Sequence, residues 1–195
     1  MYEKKAKQDD ARYRAAEEKI RAAFYDLLQE KGFQNTTVRM IVERAGINRS
    51  TFYLHYQDKY DLLRAIEDEL SGGIVSLAMK NLPNGFDAAA VPAMTTEISR
   101  WVWENRAWIS LLDGPNGDPG FLPRHAERMR ALMYGGRVRT LEEEYLEAAL
   151  VGMVLSVVRT WIRRDFAESP EEFRMLLLKT AAGVSAQIGS ILAFA

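Results

Sequence analysis

Hydrophobic positions recur along this chain at spacings of three and four residues, which is the period of a helix with one buried face. Ile20, Phe24 and Leu27 follow this period, and no stretch shows the strict alternation of a surface strand. The pattern predicts an all-α protein, with helices over residues 11–31, 58–79, 88 or 92 to 103, 105–112, 121–134, 141–166 and 170–193. Residues 1–10 carry three lysines and are interpreted as a mobile arm.

Three short helical segments are packed between residues 32 and 63. Gly32 follows a charged last turn and predicts a helix end, and Thr36 or Thr37 can cap a second helix. Gly46 then gives the backbone freedom for a tight corner, and Asn48 can cap a third helix over residues 49–56. This arrangement is typical of a helix-turn-helix.

The third of these helices has the composition of a DNA-reading surface. Phe52 and Tyr56 lie four residues apart and can face the second helix. The residues expected to project outward are Arg49, Ser50, Thr51, Tyr53 and His55. Arginine can pair with guanine edges, and hydroxyl and imidazole groups can bond phosphates. Lys59, at the start of the next helix, is a further candidate phosphate ligand.

The string T-V-R-x-I-x-x-x-A-G-I-N-R-S-T-F-Y-x-H-Y-x-D-K-x-D-L-L, over residues 37–63, resembles the N-terminal DNA-binding domain of the TetR family of bacterial transcriptional regulators. Two positions depart from the family pattern. Met40 stands where an acidic residue is common, and Asn48 stands where serine is common. The resemblance implies a three-helix DNA-binding domain, followed by a helical domain for effector binding and dimerisation.

We therefore expect an N-terminal arm and DNA-binding domain over residues 1–60 and a helical second domain over residues 61–195. The expected DNA-binding residues are Thr37, Asn48, Arg49, Ser50, Thr51, Tyr53, His55 and Lys59. The last two helices have wide apolar faces, which predict a homodimer built as a four-helix bundle. Each protomer would then read one half of a palindromic operator in double-stranded DNA.

The second domain contains bulky aromatic and flexible methionine side chains that can line an adaptable pocket. The candidate pocket residues are Trp101, Trp103, Trp108, Met133 and Met153. The same residues can equally be ordinary core, and the pocket is implied mainly by the resemblance. The function expected is a repressor that a small molecule of unknown identity releases from DNA. The alternative is a DNA-binding regulator without such an effector, controlled by a protein partner.

The amino-acid composition narrows the class of function only slightly. The net charge is −1, but residues 1–60 carry twelve Lys and Arg against nine Asp and Glu (+3), whereas the remainder carries fourteen against eighteen (−4). This asymmetry favours a nucleic-acid-binding N-terminal part. The absence of cysteine excludes disulfides and fits a cytoplasmic protein. The longest apolar run, residues 148–158, is too short to span a membrane.

An enzyme is the competing class of function. His55 and His125 are the only histidines, and no zinc-helix, nucleophile-elbow or phosphate-loop motif is present. The sequence accordingly predicts no catalytic residue, no cofactor and no metal site.

Overall fold

A computed structural model of the chain describes residues 2–81, 88–118, 120–134 and 140–192, and every regular element within these ranges is helical. The helices are α1 (Tyr2–Asn35), α2 (Val38–Ala45), α3 (Arg49–His55), α4 (Lys59–Asn81), a 3₁₀ turn (Ala88–Ala90), α5 (Val91–Glu104), α6 (Arg106–Asp113), α7 (Phe121–Tyr134), α8 (Leu141–Arg163) and α9 (Pro170–Leu192). The all-α prediction is confirmed. The expected loop at residues 82–87 and the glycine pair at 135–136 lie outside the described residues.

Two predicted helix limits need correction. The segment expected to be a mobile arm is helical, because α1 begins at Tyr2. Helix α8 ends at Arg163 rather than at Phe166, since Asp165 and Phe166 have positive φ angles of 52° and 53°. The turn is held by Trp161, whose indole N–H donates to the carbonyl of Glu168 at 3.0 Å.

The chain forms two compact units. The first contains residues 1–69 together with 111–119, and the second contains residues 70–110 together with 120–195. The sequence predicts a boundary between two domains at residue 60, and this boundary remains a prediction. Helix α4 contributes residues to both units, because residues 59–69 of it belong to the first and residues 70–81 to the second.

The core of the first unit joins α1, α2, α3 and the first half of α4. Its buried side chains include Ile20, Phe24, Leu27, Leu28, Phe33, Ile41, Val42, Phe52, Leu62, Leu63 and Ile66. The helical spacing of these residues in the sequence explains why one face of each helix is removed from water. Burial of each such side chain contributes about 1.5–3 kcal/mol of transfer free energy.

The second unit has a core rich in aromatic rings. Val102, Ile109, Trp161, Phe166 and Phe173 form one buried cluster. The rings of Trp161 and Phe173 are stacked with centroids 3.9 Å apart, which fastens α8 to α9. In the described part of the chain, no helix is long and apolar enough to cross a membrane.

Candidate functional site

Helix α2 is fixed at both ends by local contacts. The Thr37 side chain accepts a hydrogen bond from the backbone N–H of Met40 at 3.3 Å, so it caps the helix as predicted. At the other end Gly46 has φ 64°, in the left-handed region, and the N–H of Ile47 donates to the carbonyl of Val42 at 3.1 Å. The corner between α2 and α3 is therefore set by the glycine that the sequence placed there.

Asn48 caps α3 through a single oxygen atom. Its Oδ1 accepts from the backbone N–H of Thr51 at 2.7 Å, from the Ser50 hydroxyl at 2.7 Å and from the Thr51 hydroxyl at 2.8 Å. These three bonds hold the first turn of α3 and orient both hydroxyl groups. Asn48 thus fixes the orientation of the Ser50 and Thr51 hydroxyl groups at the start of α3.

The inner side of α3 is anchored by Phe52, which is fully buried, and by Tyr56 just beyond the helix. The Tyr56 hydroxyl donates to Glu17 Oε1 at 3.0 Å and accepts from Arg21 Nε at 3.4 Å, and Arg21 also bonds Glu69. Burial raises the pKa of the Tyr56 hydroxyl, which keeps it protonated. This network orients α3 against α1 and α4.

The outer side of α3 exposes Ser50, Tyr53 and Leu54. Leu54 has 74% of its surface exposed and Tyr53 has 50%. The sequence-based set of outward residues did not include Leu54. The signal that could have found it is its i,i+4 spacing from Ser50.

Arg49 lies on the same exposed surface, where one of its terminal nitrogens donates to the Tyr53 hydroxyl at 3.4 Å. Several other cations of the first unit are held by carboxylates. Arg39 pairs with Glu43 at 2.7 Å and Arg44 with Glu30 at 2.8 Å. Arg49 has no carboxylate partner within the described residues, so its charge is available to a ligand.

His55 is directed toward α1. Its ring stacks on Tyr13 with centroids 3.8 Å apart, and its Nδ1 is buried without a hydrogen-bond partner among the described residues. Burial lowers the pKa of His55, while the charge of Glu17 opposes that shift. The structure therefore separates His55 from Ser50 and Tyr53, with which the sequence grouped it.

Lys59 reaches the end of α1. Its Nζ donates to the carbonyls of Phe33 at 2.9 Å and Gln34 at 3.1 Å, and it lies 4.6 Å from the centroid of the Phe33 ring. Burial lowers the pKa of the Lys59 ammonium. Two of its three N–H donors are thus used inside the protein, and its predicted phosphate contact would rest on the third.

The second unit encloses a cavity of about 420 Å³, a size typical of small-molecule sites. No Asp, Glu, Lys or Arg is among the described residues that line it. The lining side chains come from six helices and include Ile74, Ile98, Trp101, Ile109, Leu122, Met153, Val158 and Leu177. The cavity therefore offers a ligand almost entirely apolar contacts.

The few polar lining residues are uncharged. The Thr95 hydroxyl donates to the carbonyl of Val91 at 2.8 Å, so its proton is used within its own helix. His125 is buried, its Nδ1 has no hydrogen-bond partner among the described residues, and burial together with the charge of Arg128 lowers its pKa to about 4. His125 is accordingly neutral near pH 7.

The five candidate pocket residues have different positions. Trp101 and Met153 line the cavity, whereas Trp103 and Trp108 are not among the described residues that do so. Trp103 packs on Trp161 with ring centroids 5.9 Å apart. Met133 lies in α7, but its side chain lies outside the described part of the structure. Among the described residues no group of His, Asp and Glu side chains could hold a metal ion.

Comparison with known proteins connects the N-terminal unit to a family. Residues 20–66 match the family model described as bacterial regulatory proteins, tetR family. The chain is also 26% identical over 159 residues to an uncharacterized HTH-type transcriptional regulator, YxbF, of Bacillus subtilis (strain 168). That match covers 77% of this chain, but the chain spans only 41% of the length of the relative.

Solved structures share the fold over most of the chain. A TetR transcriptional regulator from Streptococcus agalactiae 2603V superposes with a TM-score of 0.64 at 21% identity, covering 90% of this chain and 98% of its own. A transcriptional regulator (TerR/AcrR family) from Aquifex aeolicus VF5 gives a TM-score of 0.61 at 17% identity, covering 87% and 99%. At these identities the likeness establishes the fold. These relatives are transcriptional regulators and not enzymes.

Proposed function

We propose that this chain is a regulator of the TetR family, a homodimeric repressor that a small apolar molecule releases from a palindromic operator. The observation that carries the DNA-binding part is the anchoring of α3. Phe52 and Tyr56 hold one side of this helix in the core, while Arg49 and Ser50 remain on an exposed outer surface. A helix held in this way can enter the major groove.

The proposed DNA contacts are of two kinds, contacts to base edges and contacts to phosphates. Arg49 has the planar donor set that pairs with a guanine edge, and its charge lacks a carboxylate partner within the described residues. Thr37, Tyr53 and the backbone around them are suited to phosphate oxygens. Ser50 and Thr51 present oxygen atoms whose protons are directed at Asn48. His55 and Lys59 act mainly by fixing α3 and the end of α1.

Exposed apolar residues on the last two helices support the dimer. Val154 of α8 is 40% exposed, and Met175 and Leu176 of α9 are 40% and 48% exposed. A two-fold arrangement of α8 and α9 with their copies would remove such side chains from water. It would also present two α3 helices to two equal half-sites of an operator.

The effector class follows from the cavity. A charged ligand would lose its hydration there without gaining a partner, because the described lining contains no ionised side chain. The preferred effector is therefore a neutral and mainly apolar molecule. Leu70, Ile74 and Ala78 of α4 line the cavity, while Leu62 and Ile66 of the same helix belong to the core of the first unit. Occupation of the cavity would thus act on the DNA-binding unit through α4.

Selection of genomic fragments by the purified protein tests the DNA-binding part. The expected result is an enriched palindrome with two equal half-sites and an affinity that falls steeply with salt. Sedimentation of the complex should give two protomers on each duplex. Absence of any enriched sequence over random fragments would refute the operator proposal.

The effector part is tested with the neutral fluorophore N-phenyl-1-naphthylamine as a probe of the cavity. Decanol should displace the probe and weaken operator binding, whereas decanoate at pH 8, which has the same chain length and a charge, should do neither. Met94→Trp should reduce probe binding, because Met94 lines the cavity. Probe binding that leaves operator affinity unchanged would favour the alternative, a regulator controlled by a protein partner.

A further inference from the structure

We propose that Leu54 reads the methyl group of a thymine in each operator half-site, an inference that rests on the DNA-binding function proposed above. Among the described residues of the first unit, Leu54 is the most exposed large apolar side chain, with 74% of its surface open to solvent. Burial of such a group against another apolar group is favourable, so Leu54 can gain free energy from an apolar contact in a complex.

The position of Leu54 on α3 is central to the outer surface. Consecutive residues of a helix are about 100° apart, so Leu54 lies roughly 200° around the axis from Phe52. Phe52 is fully buried and marks the inner side. Ser50, four residues before Leu54 and also exposed, lies on the same outer side. Leu54 and Ser50 therefore face away from the core, in the direction from which DNA approaches α3.

Leu54 is the one aliphatic hydrocarbon side chain of α3. The Ser50 and Thr51 hydroxyl protons are directed to Asn48 Oδ1, and the Tyr53 hydroxyl accepts from Arg49. In the major groove the C5-methyl of thymine is the one apolar group on a base edge, and aliphatic side chains recognise it by contact. Leucine cannot form a hydrogen bond, so it distinguishes thymine from the other bases through this methyl group.

Replacing thymine by uracil removes that methyl group and leaves every hydrogen-bonding group of the base unchanged. The test uses the duplex selected by the wild-type protein and a set of copies in which each thymine is replaced singly by uracil. One position in each half-site should lower the affinity about four-fold, the ratio given by about 0.8 kcal/mol for one buried CH₂ group. Replacing the symmetry-related pair should lower it roughly sixteen-fold, since separate sites add.

Leu54→Ala should bind the thymine and uracil duplexes equally, and Leu54→Met should retain most of the preference. Leu141→Ala is the matched control, because Leu141 is a leucine of similar exposure (71%) in the second unit. That variant should keep the full thymine preference whatever its absolute affinity. Circular dichroism should show the wild-type helix content for all three variants, since none of the changes alters a buried side chain.

Two outcomes overturn the inference while leaving the proposed function intact. One is a selected operator in which no thymine-to-uracil change weakens wild-type binding. The other is a uracil effect of the same size in Leu54→Ala, which would assign the methyl contact to another residue. Failure to select any duplex is a distinct result, because it removes the DNA-binding function itself and the Leu54 contact with it.

Discussion

The backbone N–H of Phe33 donates to the carbonyl of Asn116 at 2.9 Å, and the Asn116 side chain donates back to the carbonyl of Gln29 at 3.2 Å. The segment after α6 is thereby joined to the end of α1 within the first unit. Ile109 and Phe121, which flank this segment in the sequence, line the cavity of the second unit. The chain therefore passes between the two units at both ends of this segment, as it also does once within α4.

Gly32→Ala should destabilise the first unit by about 1–3 kcal/mol. Gly32 has φ 75° and ψ 164°, a region that only glycine adopts readily, and a Cβ there would lie 3.4 Å from Asn116 Oδ1. Denaturant unfolding followed by circular dichroism measures the change. Gly72→Ala is the control, because Gly72 lies within α4 with open space around it and should be neutral or slightly stabilising. Equal effects of the two substitutions would contradict the strain argument.

Lys59→Met should lower the free energy of unfolding by about 1–3 kcal/mol, because the carbonyls of Phe33 and Gln34 lose a charged donor. The salt dependence of operator binding should keep its wild-type slope. A phosphate contact from each protomer would instead reduce that slope by roughly 1.8, about 0.9 for each lost contact. Titrations at several salt concentrations decide between the structural role and the phosphate role of Lys59.

Arg49→Ala should weaken binding to the selected operator by about 1–3 kcal/mol for each half-site and relax the preference at one base pair. Its side chain is exposed and makes one long hydrogen bond, to Tyr53, so stability should hardly change. Competition with duplexes altered one base pair at a time gives the measurement. Arg64→Ala is the control, since Arg64 is an exposed arginine that pairs with Asp61 at the start of α4. Equal losses on every duplex for Arg49→Ala would refute its base-reading role.

His125 should make the second unit less stable in acid. The folded pKa of about 4 lies below the ordinary value of 6.5, so the unfolded chain binds the proton more readily. The stability associated with neutral His125 is complete above pH 6.5 and falls as the pH drops toward 4. Between pH 7.5 and pH 5 the loss should be roughly 2 kcal/mol.

Comparison with His125→Leu isolates this contribution. Carboxylates such as Glu97 and Glu171, whose pKa values are lowered by hydrogen bonds from Lys80 and Arg174, also reduce stability in acid. They are unchanged in the variant, so the difference between the two unfolding curves isolates His125. A difference that does not vary between pH 7.5 and pH 5 would show that His125 does not titrate as described.

The sequence by itself determined that the elements are helices, and it determined the caps of α2 and α3. Local rules were enough for α2 and α3, because Thr37, Gly46 and Asn48 act on residues only a few positions away. The burial of Ile20, Phe24 and Leu27 on one face of α1 likewise follows from their helical spacing, which is visible in the sequence. The resemblance over residues 37–63 rests on the same local basis, and residues 20–66 match the family model of bacterial regulatory proteins, tetR family.

Only the tertiary structure decided how side chains on these elements are used. His55 and Leu54 are adjacent in the sequence, yet packing against Tyr13 turns His55 inward and leaves Leu54 outside. Lys59 carries a charge suited to phosphate, but the carbonyls it meets belong to residues far away in the chain. Trp101 lines the cavity, whereas Trp103 packs on Trp161 and does not. Whether a side chain faces the core, the cavity or the solvent depends here on contacts between distant segments. The spacing of residues along one helix does not reveal these contacts.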